Sequence, residues 1–348
     1  MASFLHYFKF SFVFSFIGLG LGAFVGWEYT GTLSGAGSAM FLTGLLAILE
    51  VSLSFDNAVV NASVLKNMTP EWQHRFLTWG ILIAVFGMRL VFPLVIVCSV
   101  AGLDPWSALV LAATKPDQYA EIMLNAHLSI AGFGGSFLLM VALSYFLDHS
   151  KEEHWLDWIE RPLRAIGKIE AVSIGVALLT IVGLSQLLES FPERVSFLEA
   201  SMSGLITYVV VDGISTFLKM PGTSGVDMAR ASIGMFLYLE VLDASFSFDG
   251  VVGAFALTNN LFIIGIGLGI GALFVRSLTI LLVEKGTLNQ FVYLEHGAFY
   301  AIGALAAMML LNVFFHIPEM VTGLIGATFI ALAIWSSILH NRRKKGIS

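Results

Sequence analysis

Charge is what this chain of 348 residues has least of: Asp, Glu, Lys and Arg together make up 12% of it, about half the share of a soluble domain. Beside 57% hydrophobic residues, that shortage excludes an ordinary water-soluble fold and predicts a polytopic α-helical membrane protein. Strict polar–apolar alternation is missing too, which excludes a transmembrane β-barrel. Cysteine is reduced to Cys98, alone in an apolar run, so there is no disulfide framework and no thiolate metal cage. Cys98 reads as a small buried hydrophobe. Basic residues are few and scattered, so no nucleic-acid partner is expected, and the net charge of −6 says little about partners in a chain of this class.

What is present is a series of long apolar runs. Ten spans are expected, at about 8–26, 38–65, 77–101, 126–147, 169–188, 196–218, 231–258, 260–283, 296–315 and 317–339. The breaks at Thr258-Asn259-Asn260 and His316-Ile317-Pro318 are short, so a nine-span reading stays open. Lys9 followed by Phe10 to Gly26 has the outline of a signal peptide, but the run is long and no small-residue cleavage site follows, so it is expected to be retained.

With ten spans, one set of loops and both tails hold fourteen Lys and Arg, and the opposite set holds only Lys115 and Arg194. By the positive-inside rule both termini are expected to be cytoplasmic, in a bacterial inner membrane. The chain then reads as one transport domain over 1–348, with repeat halves 1–190 and 191–340 and a basic tail at 341–348. In the loop His149 to Lys168, residues Trp155, Leu156, Ile159, Leu163 and Ile166 recur at helical spacing, as expected of a helix lying in the headgroup region. Thr69-Pro70-Glu71 reads as a helix start. Asn61-Ala62-Ser63 and Asn67-Met68-Thr69 match glycosylation sequons but lie in a span and on the expected inner side.

The halves are joined by a repeat. Sliding the chain by 193 residues lays Asp249 on Asp56, and seven of the fourteen positions from Leu46 to Val59 are then identical. Glu50 falls on Asp243, so two acids keep one spacing in both helices. The repeats lie five spans apart, and an odd offset reverses direction through the membrane. This predicts an inverted five-plus-five duplication of the kind found in secondary transporters, with sites near the midplane. Each following span carries an arginine, Arg89 and Arg276.

Six residues of helix rise about 9 Å and turn about 240°, so Glu50 and Asp56 cannot share a face of an unbroken helix. Antiparallel packing would set Glu50 level with Asp249 and Asp56 level with Asp243. Two arrangements stay open: two tiers of acids along a path, or helices unwound beside Asn57 and Gly250 to gather the acids around one ion. Span interiors hold Glu50, Asp56, Asp212, Glu240, Asp243 and Asp249 against Arg89 and Arg276. Such a surplus must hold cations, take up protons, or both. Oxygen ligands without Cys or His at that depth suit Mn²⁺, Ca²⁺ or Mg²⁺ over Zn²⁺ or Cu⁺. The metal set expected is Glu50, Asp56, Asn57, Glu240, Asp243 and Asp249. Arg89 and Arg276 are supporting charges and Asp212 is a proton relay. Ser54 and Ser247 are expected to bond back to the helix backbone.

These motifs resemble the TerC family of integral membrane proteins, and more closely its DUF475 branch. An acid before Leu-Ser-x-Asp-Asn is matched by Glu50, Leu53, Ser54, Asp56 and Asn57. The second motif, acid-x-x-Asp-x-x-Phe-(Ala/Ser)-x-Asp, is matched by Glu240, Asp243, Phe246, Ser247 and Asp249. Where much of that family continues Ser-x-Pro-Ala, this chain has Gly250-Val251-Val252. The resemblance implies a LysE-like transporter, not an enzyme, exporting Mn²⁺ in possible exchange for protons, with Ca²⁺ as an alternative cargo and no tightly bound cofactor. Two other classes remain to be distinguished: a membrane scaffold without transport, and an intramembrane aspartyl protease, whose Gly-x-Gly-Asp and Pro-Ala-Leu signatures are absent.

Overall fold

In hydrocarbon every backbone N–H and C=O must be satisfied within the protein, and a run of apolar residues does this most simply as a helix. The computed structural model describes residues 4–149, 151, 153–167, 171–219, 226–315 and 317–346, and every regular element among them is helical. In order these are α1 (Phe4–Thr30), α2 (Leu33–Leu53), α3 (Phe55–Leu65) and α4 (Pro70–Leu82), then a π-helical stretch (Ile83–Val91) that continues as α5 (Phe92–Ala101). There follow α6 (Pro105–Thr114), α7 (Pro116–Asn125), α8 (His127–Leu147), α9 (Asp157–Ile166), α10 (Val172–Ser185) and α11 (Phe191–Lys219). The chain ends with α12 (Val226–Ala254), α13 (Leu261–Glu284), the short α14 (Thr287–Gln290), α15 (Leu294–Leu311) and α16 (Glu319–Gly346).

Among the described residues nine helical segments are long and apolar enough to cross a membrane. All ten expected spans meet a helix. The fifth, at 169–188, is the 14-residue α10, about 21 Å long against a hydrocarbon core of about 30 Å. Among the described residues, then, α10 is the expected span whose helix is shorter than a full crossing, while the short breaks at 258–260 and 316–318 do separate distinct helices.

The helices fall into two compact units. The first comprises Met1–Ser54, Pro70–His127 and Phe246–Leu281. Its α1 and α2 form a hairpin turned at Gly31, whose φ of 63° lies in the left-handed region that glycine tolerates. The α13 helix presents two small-residue stripes at i, i+4 spacing. Gly265 and Gly269 face Leu90 and Val85, while Gly267 and Gly271 face Leu46 and Glu50. Close backbone approach on both sides is what such stripes permit. The π-helical stretch has a local cause. Pro93 has no N–H to give, and its ring crowds the carbonyl of Arg89, four residues back. The turn before it widens, and the Phe92 N–H reaches back five residues to the Gly87 carbonyl.

The second unit comprises Phe55–Thr69, Leu128–Ser245 and Leu282–Ser348. At its centre α3 packs against α15 and α16. Ala58, Val59, Val60 and Ala62 are fully enclosed on successive faces of α3, together with Asp56, Asn61 and Ser63. A helix buried all round has no solvent face on which to place a polar group, so each of its polar groups needs a partner inside the protein.

Candidate functional site: an acid–arginine centre and an acid–amide centre

The first unit holds the acid–arginine centre. Glu50 closes α2, where the chain leaves helical geometry at Ser54 before restarting as α3. Its carboxylate is buried and ion-paired with Arg89, also buried. Ser54 Oγ donates to Glu50 Oε1 at 3.2 Å. The arginine is fully engaged: Nε donates to the Leu268 carbonyl at 3.0 Å, Nη1 to the Ala84 carbonyl and Nη2 to Glu50. Two glycines make room for the pair. A Cβ at Gly271 would lie 2.4 Å from Glu50 Cβ, and one at Gly250 would lie 3.3 Å from Glu50 Oε2. Arg276, on α13, is buried with its guanidinium 4.4 Å from the Phe76 ring centroid. The Asp249 side chain lies outside the described ones; its backbone is in α12.

The second unit holds the acid–amide centre. Asp56 lies in the first turn of α3, where the helix dipole favours a carboxylate. It is 7% exposed, and its Oδ1 accepts from the Asn57 N–H at 3.0 Å. Gly326 of α16 leaves space beside it, since a Cβ there would come 3.5 Å from Asp56 Oδ2. Among the described residues no ion pair neutralises Asp56. Further along α3, Asn61 Nδ2 donates to Asp243 Oδ1 of α12 at 2.7 Å. The Oδ1 atoms of both Asn57 and Asn61 are buried and accept no hydrogen bond. Buried carbonyl oxygens seldom go unpaired. Here two do so at i, i+4 spacing on one face of one helix. Among the described residues no three His, Cys, Asp or Glu side chains are gathered as a metal cluster. The oxygens on offer lie at two positions on α3, Asp56 with Asn57 in its first turn and the Asn61–Asp243 pair one turn on.

Towards the end of α3 the same unit contains a cavity of about 350 Å³, lined by Ser63, Asp148, Tyr208, Asp212, Tyr238 and Glu295 among others. Lys66 pairs with Glu295 at 3.2 Å beside it. The loop after α8 is tied down by Glu160, the one buried acid of α9. Its carboxylate accepts from the backbone N–H groups of Trp155 and Leu156 and from Tyr300 Oη, and lies 3.5 Å from both His154 and His296. Lys151 sits 3.0 Å above the Tyr145 ring centroid. Burial lowers its ammonium group to a pKa of about 8.

Two local expectations are corrected. The helix break falls at Ser54, ahead of Asp56 and not beside Asn57, while α12 runs unbroken through Gly250 to Ala254. Ser54 bonds to a carboxylate and not to the helix backbone. Arg89 takes Glu50 as its partner. Glu240 is buried on α12 and belongs to the second unit, as do Asp56, Asp243 and Asp212; Glu50, Arg89 and Arg276 belong to the first. Asn61 was missed by sequence reasoning, although its four-residue spacing from Asn57 in an apolar run was a usable signal.

Residues 55–344 match the family described as "Protein of unknown function (DUF475)". Among curated proteins, the chain is similar to one called "Uncharacterized membrane protein STKORF319" from Myxococcus xanthus. The two are 23% identical over 303 residues, which cover 85% of this chain and 73% of that protein. No solved structure matches.

Proposed function

Since the chain belongs to the DUF475 family, with the helices of a multi-pass membrane protein, we propose that it is a transporter of hard divalent cations, Mn²⁺ first among them. The observation that carries this reading is Asp56: a carboxylate 7% exposed, on a helix enclosed by apolar residues, with no cationic side chain paired to it among the described residues. An anion held so must bind a cation or a proton, because desolvation without compensation costs several kcal/mol. The Asn57 amide oxygen, buried without a donor one residue on, adds a neutral oxygen of the kind hard cations take. Ion pairing gives Glu50 the opposite character, a structural charge held by Arg89.

In this reading the protein is a TerC-like exporter in a bacterial inner membrane. Asp56 and Asp243 hold the cargo, and carboxylates that release it carry protons back. Asp212, on the wall of the cavity, serves that return. The test is Mn²⁺ flux into proteoliposomes containing the purified protein, with Ca²⁺, Mg²⁺ and Zn²⁺ as comparison ions. Asp56→Asn and Asp243→Asn should each abolish flux. Unchanged flux in both variants would remove the site assignment, and absence of any flux in the wild type would favour a scaffold.

A further inference from the structure

We infer that Asn61 is a cation ligand and sets the ion selectivity of the site; this rests on the transport reading above. The residue is 4% exposed and its amide is half satisfied. Nδ2 donates to Asp243 Oδ1 at 2.7 Å, while Oδ1 is buried and accepts nothing. A structural amide in a membrane helix is expected to satisfy both ends, since an unpaired buried carbonyl costs about 1–3 kcal/mol. The cost is borne here at a position five residues past Asp56, about 7.5 Å along the helix axis, beside an acid.

A cation explains the unused oxygen. Asp243 and the Asn61 carbonyl belong to side chains already in contact, so an ion reaching Asp243 meets that oxygen after rotation of the amide plane. The NH₂ group then serves the empty carboxylate and the carbonyl serves the occupied one. Asn57, four residues earlier with its own unpaired oxygen, extends the same face. Neutral oxygens enlarge a coordination shell without adding charge. That favours ions accepting mixed carboxylate and amide shells, such as Mn²⁺ and Ca²⁺, over Mg²⁺, which keeps most of its water.

The experiment compares Asn61→Leu with Asn61→Asp by equilibrium Mn²⁺ and Mg²⁺ binding to detergent-purified protein and by flux in proteoliposomes. The leucine variant keeps the branched shape and loses the oxygen. Its Mn²⁺ affinity should fall about ten- to a hundredfold, with the preference over Mg²⁺ falling as well. Asn61→Asp keeps an oxygen and adds charge, so Mn²⁺ should bind more tightly and leave more slowly, with reduced flux. The two variants moving in opposite directions is the signature of a ligand. A residue that merely joined two helices would weaken both variants alike, and that result, or wild-type affinity and selectivity in both, overturns the inference. A wild-type protein that binds no divalent cation overturns the transport reading and this inference with it.

Discussion

Glu50 and Asp56 carry the same charge on consecutive helices, yet their removal should move stability in opposite directions. Glu50→Leu leaves Arg89 buried, with two backbone carbonyls but no counter-charge. Breaking a buried pair by deleting one partner costs about 3–5 kcal/mol, and with side-chain exposures of 6% and 7% for the two partners little solvent screening offsets it. The double variant Glu50→Leu with Arg89→Met removes both charges at similar volume and should recover most of that loss. Asp56→Asn instead removes a buried charge that has no cationic partner among the described residues, so in metal-free buffer it should be neutral or stabilising. The assay is thermal unfolding in detergent, followed by tryptophan fluorescence with chelator present. Glu50→Leu should lower the apparent midpoint by on the order of 10 °C, the double variant should lie between it and the wild type, and Asp56→Asn should not fall below the wild type. A double variant less stable than Glu50→Leu would refute the pairing argument. A comparable loss on Asp56→Asn would show that Asp56 is a structural charge after all.

Other outcomes follow from single contacts. Gly271→Ala places a methyl 2.4 Å from Glu50 Cβ; overpacking of this kind costs about 1–3 kcal/mol and should reduce the yield of folded protein, whereas Gly20→Ala, with open space around it, should be tolerated. Glu160→Ala removes the acceptor that holds the Trp155 and Leu156 amides, so tryptic cleavage after Arg164 should accelerate, and an unchanged digestion rate would place the loop's anchor elsewhere. For Lys151 the sign is fixed by burial. Its folded-state pKa of about 8 lies below the ordinary 10.5, so the unfolded chain binds the proton more strongly. Stability should therefore rise with pH between about 8 and 10.5. Amine acylation of Lys151, read by peptide mass mapping, should show its midpoint near pH 8, and a midpoint in the ordinary lysine range would place the amine in water.

The spans were legible because hydrocarbon imposes a single local rule, and ten apolar runs each became helix. The acids were legible as well, since Glu50, Asp56, Asp243 and Asp249 stand out against their surroundings and recur at one spacing. Sequence could not say which acid an arginine faces. Arg89 is separated from Glu50 by 39 positions and is carried on a turn widened by Pro93. Each widened turn shifts the side chains beyond it around the helix axis relative to α-helical spacing, so a regular helical wheel misplaces the guanidinium. The break at Ser54 was equally hidden, because Val-Ser-Leu-Ser-Phe contains no glycine or proline to announce it.

Asn61 was hidden for a different reason. An amide in an apolar helix has a common structural use as an interhelical hydrogen-bond donor, and this one does donate to Asp243. What distinguishes it is an acceptor left unused, which is a property of packing; residue order shows only its four-residue spacing from Asn57. The motif spacing now has a physical sense. Acids six residues apart point about 240° away from one another, and the break at Ser54 separates the elements that carry them. Glu50 accordingly belongs to the unit that supplies Arg89, and Asp56 to the unit that supplies Asn61 and Asp243. On the proposed reading, one motif thus furnishes a charge neutralised by Arg89 and a second, without an ion pair among the described residues, that a cation would complete. That assignment predicts that transport fails through lost binding at Asp56 and through lost folding at Glu50.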